Sequence, residues 1–318
     1  MKWLIALLTI CTHLTVAQQV SYKTKYIVAQ DGSGDFKTIQ ETIDACKAFP
    51  DERITITLKP GVYKEKIEVH SWTTKISLLG EDALTTIISF DDYSGKGAIN
   101  TFTSYTVKVA GDDFYAENIT FENTAGPVGQ AVALHVEADR CVFRHCRFIG
   151  NQDTIYAARE NSRQYFLNCY IEGTTDFIFG AATSVFENCS ILSKKDSYIT
   201  AASTTQHTIY GYVFINCRLE ALAGVTKVYL GRPWRIYAKT VFVNCELGSH
   251  ILSEGWHNWN KTEAEKTTFY AEYNSKGEGA KTAKRVAWSH QLTQKEAKHY
   301  SANEILKGND KWNPVGKE

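Results

Sequence analysis

The feature that most constrains the fold is a six-residue pattern that recurs five times between residues 143 and 247. Each copy reads Phe, any residue, Asn or His, Cys, any residue, and then an apolar residue. The copies are FRHCRF (Phe143–Phe148), FLNCYI (Phe166–Ile171), FENCSI (Phe186–Ile191), FINCRL (Phe214–Leu219) and FVNCEL (Phe242–Leu247). Their cysteines follow one another at intervals of 23, 20, 28 and 28 residues, and a looser copy, AENITF, precedes them at Ala116–Phe121. A unit of this length that repeats along a chain is typical of a solenoid.

Alternation within the repeat predicts strands, because Phe, Cys and the final apolar residue then share one side. A leucine-rich repeat would need leucine at most of these positions, but only Leu219 and Leu247, at the final apolar position, are leucine. Short strands, β-branched residues and Asn turns instead favour an all-β fold, a parallel β-helix in which equivalent side chains stack from coil to coil. The five cysteines then form a buried ladder of small apolar groups, and the Asn column satisfies backbone groups at the turns.

Both ends of such a solenoid need a cover, because an open strand edge invites aggregation. Apolar residues at steps of three and four in FKTIQETIDACKAF (Phe36–Phe49) predict an amphipathic helix that caps the N-terminal end. Pro60-Gly61 predicts a turn between strands. After Lys261 the repeat is lost and charged residues increase, so we expect loops and a short helix near Gln294–Lys307 to pack outside the solenoid.

The N-terminal residues have the pattern of a secretory signal peptide. Lys2 precedes the apolar run Trp3–Ile10, and Thr15–Ala17 offers small residues for cleavage before Gln18. We therefore predict an exported protein with a signal peptide at 1–17 and a single catalytic domain at 18–318. The apolar run is too short for a membrane span. A lipoprotein signal through Cys11 is the alternative, but a large residue precedes that cysteine where a small one is expected.

Charge and cysteine usage exclude several classes of protein. Lys and Arg together number 35, as do Asp and Glu, so no excess of positive charge indicates nucleic acid or an anionic membrane surface as a partner. Seven cysteines follow the signal peptide, an odd number with no CxxC, which does not resemble a disulfide framework. The histidines are scattered, so the sequence predicts no metal site and no cofactor. Redox or metal chemistry at the ladder cysteines is the alternative to a structural role.

Two aspartates stand at equivalent places in the repeat. Asp153, in GNQDTIY, lies seven residues after Cys146, and Asp176, in GTTDFIFG, lies seven residues after Cys169. Equivalent residues on neighbouring coils are about 4.8 Å apart, so we expect the two carboxyl groups to face each other. Two close carboxyl groups in apolar surroundings do not both ionise, which leaves one as an acid and the other as a nucleophile. Two unrelated turn aspartates are the alternative.

Other polar residues distinguish ester from glycoside chemistry. Gln152 adjoins Asp153, and Gln130 lies 22 positions earlier, about one coil back. Two amides beside paired carboxyl groups suit an oxyanion site, which favours acyl transfer over glycoside hydrolysis. Arg232, in YLGRPW, is a candidate to hold Asp176 ionised, and Trp234 beside it can stack on a sugar ring.

The chain resembles pectin methylesterases, or pectinesterases, over most of its predicted mature length. The motifs that carry the resemblance are DGSGDFKTIQ (Asp31–Gln40), GVYKE (Gly61–Glu65), FENTAGP (Phe121–Pro127), GQAVAL (Gly129–Leu134), GNQDT (Gly150–Thr154), GTTDFIFG (Gly173–Gly180) and LGRPW (Leu230–Trp234). The resemblance implies a right-handed parallel β-helix that hydrolyses the C6 methyl esters of homogalacturonan. It implies Asp176 as nucleophile, Asp153 as general acid and then base, Gln130 and Gln152 as oxyanion donors, and Arg232 as the residue that orients Asp176. It further implies substrate contacts from the aromatic residues Tyr156, Phe179, Tyr229, Trp234 and Trp256.

Two features depart from the plant members of this family. Asn151 stands where they usually carry an aromatic residue, and the segment around Arg159–Asn161 looks about two residues longer, so subsite preference is open. The alternatives are a pectin lyase or polygalacturonase on the same fold, an esterase for another ester, and a non-catalytic pectin-binding solenoid. The expected partner is pectin, and we expect a monomer.

Overall fold

The computed structural model describes residues 21–315, and in this range the chain winds into a right-handed parallel β-helix. The predicted signal peptide lies outside the described residues. Each coil contributes strands to three parallel sheets that run the length of the solenoid. No helix within residues 21–315 is long and apolar enough to cross a membrane.

The three sheets contain the following strands, numbered in chain order. The first sheet comprises β1 (Lys25–Val28), β2 (Ile54–Leu58), β5 (Ile76–Gly80), β8 (Tyr115–Glu117), β11 (Cys141–Arg144), β14 (Arg163–Leu167), β17 (Thr183–Glu187), β20 (Tyr212–Ile215), β23 (Lys239–Val243), β25 (Phe269–Tyr273) and β26 (His290–Gln291). The second comprises β3 (Gly61–Tyr63), β6 (Thr86–Phe90), β9 (Thr120–Asn123), β12 (Arg147–Ile149), β15 (Tyr170–Gly173), β18 (Ser190–Ser193), β21 (Arg218–Ala221) and β24 (Glu246–Leu247). The third comprises β4 (Ile67–Val69), β7 (Val107–Val109), β10 (Leu134–Val136), β13 (Ile155–Ala157), β16 (Ile178–Gly180), β19 (Tyr198–Ala202) and β22 (Tyr229–Gly231).

The six-residue repeat sets the register of the coils, as predicted. Its phenylalanines pair from strand to strand and stack with ring centroids 4.4–4.8 Å apart. The cysteines of the ladder are buried and free. Each thiol donates a weak hydrogen bond to a carbonyl of the preceding coil, as Cys217 does to Phe186 O at 3.2 Å. The cysteines therefore serve the core of the solenoid, as predicted.

The Asn column forms the sharp turn between the first and second sheets. Its members adopt left-handed backbone conformations, with φ between 49° and 57°. These residues are Asn118, His145, Asn168, Asn188, Asn216, Asn244 and Asn274. Asparagine tolerates this conformation better than most residues, which explains its recurrence here. Within residues 21–315, one side-chain hydrogen bond links members of the column, from Asn274 Nδ2 to Asn244 Oδ1 at 2.8 Å. The left-handed backbone conformation, rather than the predicted bonding of turn backbone groups by the side chains, therefore explains why asparagine recurs here.

The N-terminal cap is a shorter helix than predicted. Helix α1 spans Ile39–Asp44, with Thr38 as its N-cap, and it buries Ile39 and Ile43 against the core. The carboxylate of Glu65 accepts hydrogen bonds from the first backbone N–H groups of the helix at 3.0 Å. The prediction that the helix extends to Phe49 is wrong, because that residue is exposed with a φ of 46° and lies beyond the last helical turn.

The C-terminal segment adds a coil before it packs outside. Strand β25 continues the first sheet, with Glu272 in register with Phe242, so the repeat does not end at Lys261 as predicted. Four short 3₁₀ helices occur in the described chain, at Thr101–Thr103, Thr262–Lys266, Glu278–Ala280 and Thr282–Lys284. Helices α2 (Gln294–Ala297) and α3 (Ala302–Leu306) follow, and α3 buries its apolar residues against the outer face of the first sheet. Two short helices therefore lie in the region where the sequence predicted one.

Candidate active site

The two aspartates lie at equivalent places on neighbouring coils. Asp153 precedes β13 by two residues and Asp176 precedes β16 by two residues, and these strands pair with Ile155 opposite Ile178. The predicted register is therefore confirmed. Both aspartates have left-handed backbone conformations, with φ of 67° and 49°. This turn directs both carboxyl groups to the outside of the third sheet, at the bottom of a cleft.

Local packing explains why the chain turns here. The Asp153 N–H donates to Thr175 O at 3.1 Å, and the Asp176 N–H donates to Tyr198 O at 2.8 Å, so each turn is bonded to the next coil. Phe177 is fully buried, and Gly173 lies so close that a Cβ there would stand 2.2 Å from the Phe177 Cβ. The aspartate next to an apolar run is therefore a charged group at the edge of the core, anchored by the ring that follows it.

Arg232 binds Asp176, as predicted. Its Nε donates to Asp176 Oδ1 at 2.9 Å, and its NH2 donates to Asp176 Oδ2 at 2.6 Å. Arg232 follows β22, and its backbone N–H donates to Thr200 O at 2.9 Å. A two-pronged bond of this kind fixes both the position and the plane of a carboxylate.

The electrostatic surroundings of the two carboxyl groups differ. Burial raises the pKa of Asp153 well above its ordinary value, and the neighbouring charge of Asp176 raises it further. Burial also raises the pKa of Asp176, but the hydrogen bonds and positive charge of Arg232 oppose that rise. The arginine therefore favours ionised Asp176, and Asp153 retains its proton to higher pH.

Gln130 and Gln152 lie side by side next to the aspartates. They form an isolated parallel bridge between neighbouring coils, and the Ala131 N–H donates to Gln152 O at 3.1 Å. Both line a cavity of about 240 Å³ together with Asp153, Asp176 and Arg232. The predicted oxyanion donors and the carboxyl pair therefore open into one space.

Aromatic side chains form the walls of this cavity. Phe179 and Trp234 line it with ring centroids 5.9 Å apart, and Tyr156, which is not itself a lining residue, stacks on Phe179 at 4.5 Å. The sequence did not indicate two further members, Phe102 and Trp259, which line the same cavity. Phe102 belongs to a short 3₁₀ helix, and its ring lies 5.3 Å from that of Tyr156. Neither residue belongs to a strand of the repeat, so no periodicity points to them.

Two of the predicted substrate contacts lie elsewhere. Trp256 is 1% exposed and stacks on Tyr270 inside the solenoid, at a centroid distance of 4.3 Å. The prediction that Trp256 contacts substrate is therefore wrong, because its ring has no access to the cleft. Tyr229 stacks on Tyr198 with centroids 5.4 Å apart, behind Arg232 rather than in the cavity wall.

Metal-binding groups are not assembled near the cavity. Among residues 21–315, no three His, Cys, Asp or Glu side chains are grouped so that they could hold a metal ion. The polar residues that line the cavity include two aspartates, two glutamines, one arginine and Thr101. This set can provide a nucleophile, a proton donor and hydrogen-bond donors for an oxyanion.

Comparison with known proteins gives the family. The family model described as Pectinesterase matches residues 25–309, which is most of the chain. The chain belongs to the pectinesterase family. The match includes every residue of the carboxyl pair, the amide pair and the arginine described above.

Named relatives agree with this assignment. The pectinesterase chain is 38% identical over 284 residues to Pectinesterase 31 of Arabidopsis thaliana, covering 86% of this chain and 89% of that protein. It spans only 41–54% of three plant relatives named as pectinesterase/pectinesterase inhibitor proteins.

Solved structures share the fold. The carrot pectin methylesterase superposes with a TM-score of 0.85 at 35% identity, covering 90% of this chain and 93% of that one. A mutant pectin methylesterase in complex with a hexasaccharide superposes with a TM-score of 0.78 at 27% identity, covering 93% and 99%. The chain therefore has the fold of solved pectin methylesterases over most of its length.

Proposed function

We propose that this pectinesterase hydrolyses the C6 methyl esters of homogalacturonan, with Asp176 as nucleophile and Asp153 as general acid and then base. The observation that supports these roles is the asymmetry of the carboxyl pair. Arg232 bonds both oxygens of Asp176, and no hydrogen bond to the Asp153 carboxyl group occurs in residues 21–315. A nucleophile must be ionised and oriented, whereas an acid must keep its proton, and the two environments match these needs.

In the first step, a carboxylate oxygen of Asp176 attacks the ester carbonyl carbon. The carbonyl electron pair moves onto oxygen, and the side-chain N–H groups of Gln130 and Gln152 donate to that oxyanion. When the tetrahedral intermediate collapses, the bond to the methoxy group breaks. Asp153 transfers its proton to that oxygen, so methanol leaves and an acyl-enzyme anhydride on Asp176 remains.

In the second step, ionised Asp153 takes a proton from water. The water oxygen attacks the sugar acyl carbon, and the bond to Asp176 breaks. Asp176 returns as a carboxylate, Asp153 is again protonated, and the sugar leaves as a carboxylic acid that ionises in solution. The sum is ester plus water giving acid plus methanol, so the balance requires no other reactant.

Substrate binding in this proposal uses the aromatic walls of the cavity. The rings of Phe102, Phe179, Trp234 and Trp259 line the cavity that contains the carboxyl pair, and Tyr156 packs against three of these rings. Sugar rings pack well against such faces, because aromatic side chains provide large apolar surfaces with fixed geometry. Tyr229 stacks on Tyr198, whose ring contacts Arg232, so in this arrangement it supports the arginine indirectly rather than the substrate.

We also propose that the enzyme acts after export, as a monomer. The basis for export is the apolar N-terminal segment, whose cleavage near Gln18 leaves residues 18–318 as one catalytic unit. Pectin is the expected partner, and its size requires a site that opens to solvent, as the cleft does.

The test is methanol release from highly methylated pectin by the purified protein, with Asp176→Asn as the matched inactive variant. We expect methanol from the wild-type protein without new reducing or unsaturated chain ends. New chain ends without methanol would support the glycosidase or lyase alternative. Binding of pectin without either product would support a non-catalytic role, and release of alcohol from other esters alone would indicate another substrate.

A further inference from the structure

The arginine of the site is held between two aromatic rings. The Cζ of Arg232 lies 3.6 Å from the ring centroid of Trp259 and 3.9 Å from that of Tyr198. Two rings this close to one carbon cannot share a face, so they sandwich the guanidinium plane. Because that plane also fixes the Asp176 carboxylate, the position of Trp259 controls the orientation of the nucleophile.

Trp259 does not reach this position by regular secondary structure. Its φ is 56°, and that of Asn260 is also 56°, so two consecutive non-glycine residues are left-handed. Such a conformation is strained for a bulky side chain and persists only where other contacts impose it. One contact is the bond from the Asn260 N–H to Asn258 Oδ1 at 2.9 Å.

The other contact comes from His257. The backbone N–H of Trp259 donates to His257 Nδ1 at 2.9 Å. The backbone N–H of His257 donates to the carbonyl of Gly231, the residue before Arg232, at 3.1 Å. A ring nitrogen that accepts a hydrogen bond carries no proton, so this geometry requires neutral His257 with its proton on Nε2. His257 Nδ1 and Asn258 Oδ1 therefore make the same kind of contact, since each accepts a hydrogen bond from the backbone N–H two residues later.

We propose that His257 is a positioning residue of the active site, whose neutral ring holds Trp259 against Arg232 and thereby orients Asp176. This inference rests on the proposed role of Asp176. When a proton binds Nδ1, that nitrogen becomes a donor, the bond to the Trp259 N–H is lost, and the strained turn is free to relax.

The groups around His257 favour the neutral ring. Burial and the positive charge of Arg232 lower the pKa of His257 below its ordinary value, so the acceptor persists to lower pH. The groups that pack against His257 or share its loop are Arg232, Tyr198 and Tyr229, with Glu254 and Lys261 on the same loop. Both tyrosines contact the ring edge-on, at centroid distances of 5.4 and 5.3 Å, which limits its movement.

The direct test is the ring nitrogen spectrum of His257 in ¹⁵N-labelled protein, assigned by its absence in His257→Asn. We expect the tautomer with the proton on Nε2 at neutral pH. On acidification, the Trp259 amide resonance should move together with the His257 titration. A proton on Nδ1 at neutral pH, or a Trp259 amide that ignores the titration, overturns the proposal. This readout does not depend on catalysis, so it distinguishes this proposal from the proposed function.

The kinetic test compares two substitutions. His257→Leu keeps an apolar contact with the tyrosines but has no acceptor, and we expect turnover to fall about fivefold to tenfold, the scale of one lost hydrogen bond. His257→Asn places an amide oxygen near the position of Nδ1 and should recover most of that loss. The exposed His207→Leu is the control and should leave turnover unchanged. Equal turnover in the Leu and Asn variants contradicts the proposal.

Discussion

Among the two-pronged arginine–carboxylate bonds of residues 21–315, those to Asp176 and Glu272 hold a buried carboxylate, one in the cleft and one at the C-terminal end of the solenoid. Arg232 bonds Asp176 at 2.9 and 2.6 Å, and Arg285 bonds Glu272 at 2.7 and 3.0 Å. Glu272 takes the place of the next phenylalanine in the stacked column, opposite Phe242. The second pair therefore closes the last coil where the ring stack ends.

The difference lies in what surrounds each pair. The remaining N–H groups of Arg285 donate to backbone carbonyls, those of Leu252, Ser253 and Gly279, and the side chains are only 4% and 2% exposed. Arg232 is instead flanked by rings and leaves Asp176 facing a cavity that contains a second carboxyl group. The enclosed pair can only support the fold, whereas the pair in the cleft has the neighbouring acid and the open space that the proposed reaction needs.

The largest expected effect tests the cleft pair. Asp176→Asn removes the nucleophilic oxygen but preserves shape, and we expect turnover on methylated pectin to fall about 10⁴-fold or more, the scale for loss of a catalytic nucleophile. Pectin binding should be largely preserved. Glu272→Gln is the matched control, and its turnover per folded molecule should stay near that of the wild type. Equal losses in both variants would erase the distinction between the pairs.

The second effect concerns stability, and here Glu272→Gln, the control of the first prediction, is the variant with the large effect. Glu272→Gln leaves Arg285 buried without its counter-charge, so the free energy of unfolding should fall by about 3–5 kcal/mol. Urea unfolding measures this loss. Glu246→Gln removes a carboxylate from an exposed pair with Arg218 and should change stability by less than about 0.5 kcal/mol. If the two glutamine variants unfold alike, the C-terminal pair does not close the solenoid.

A third change tests the amides of the cleft. Gln152→Ala removes one proposed oxyanion donor, and we expect turnover to fall about 10²–10³-fold with little change in substrate affinity. Steady-state kinetics at several pectin concentrations separates the two quantities. Gln291→Ala, on the exposed strand β26, serves as the control. A change confined to affinity would assign Gln152 to substrate binding instead.

The smallest effect belongs to the interior cysteine ladder, whose position in the last coil is taken by Ser275. Cys217→Ser should lower stability by about 1 kcal/mol, because serine buries a more polar group whose shorter C–O bond places the hydroxyl farther from Phe186 O than the thiol lies. Burial raises the pKa of the Cys217 thiol well above its ordinary value, and raises that of half-buried Cys46 to about 11. In the native protein, Cys46 should therefore react with a thiol reagent before the ladder cysteines. Rapid labelling of several ladder cysteines would contradict the stacked core.

The repeat allowed the sequence to predict the coils and, through them, the pairing of the two aspartates. Asp153 and Asp176 each follow a ladder cysteine by seven residues, so coil register alone predicts that they meet. For Gln130 and Gln152 the prediction rests only on their separation of 22 residues, about one coil, and the two do pair. Backbone pairing in a solenoid transmits register from one coil to the next, which makes such long-range contacts readable from spacing.

The rest depended on segments where that register is lost. Trp256 forms a parallel bridge with Gly231 and is buried in the core, whereas Trp259, three residues later in a left-handed turn, lines the cavity. The final coil was hidden because Glu272 and Ser275 stand where the repeat has Phe and Cys. Its buried charge is stable only with Arg285, a partner that spacing does not reveal.

The central claim is that Asp176 forms a covalent bond to the sugar carboxyl carbon while Asp153 supplies and removes protons. It is tested most directly in Asp153→Asn with a fluorinated alkyl ester of oligogalacturonate, whose alcohol is more acidic than methanol. Such a leaving group needs no proton donor, so the first step should proceed while the second, which needs a base, is slow. We predict a burst of alcohol equal to the enzyme concentration, and an acid-quenched protein heavier by one oligogalacturonyl group at Asp176. Neither burst nor adduct should appear in the double variant that also carries Asp176→Asn. Steady alcohol release from Asp153→Asn without burst or adduct would contradict covalent catalysis by Asp176.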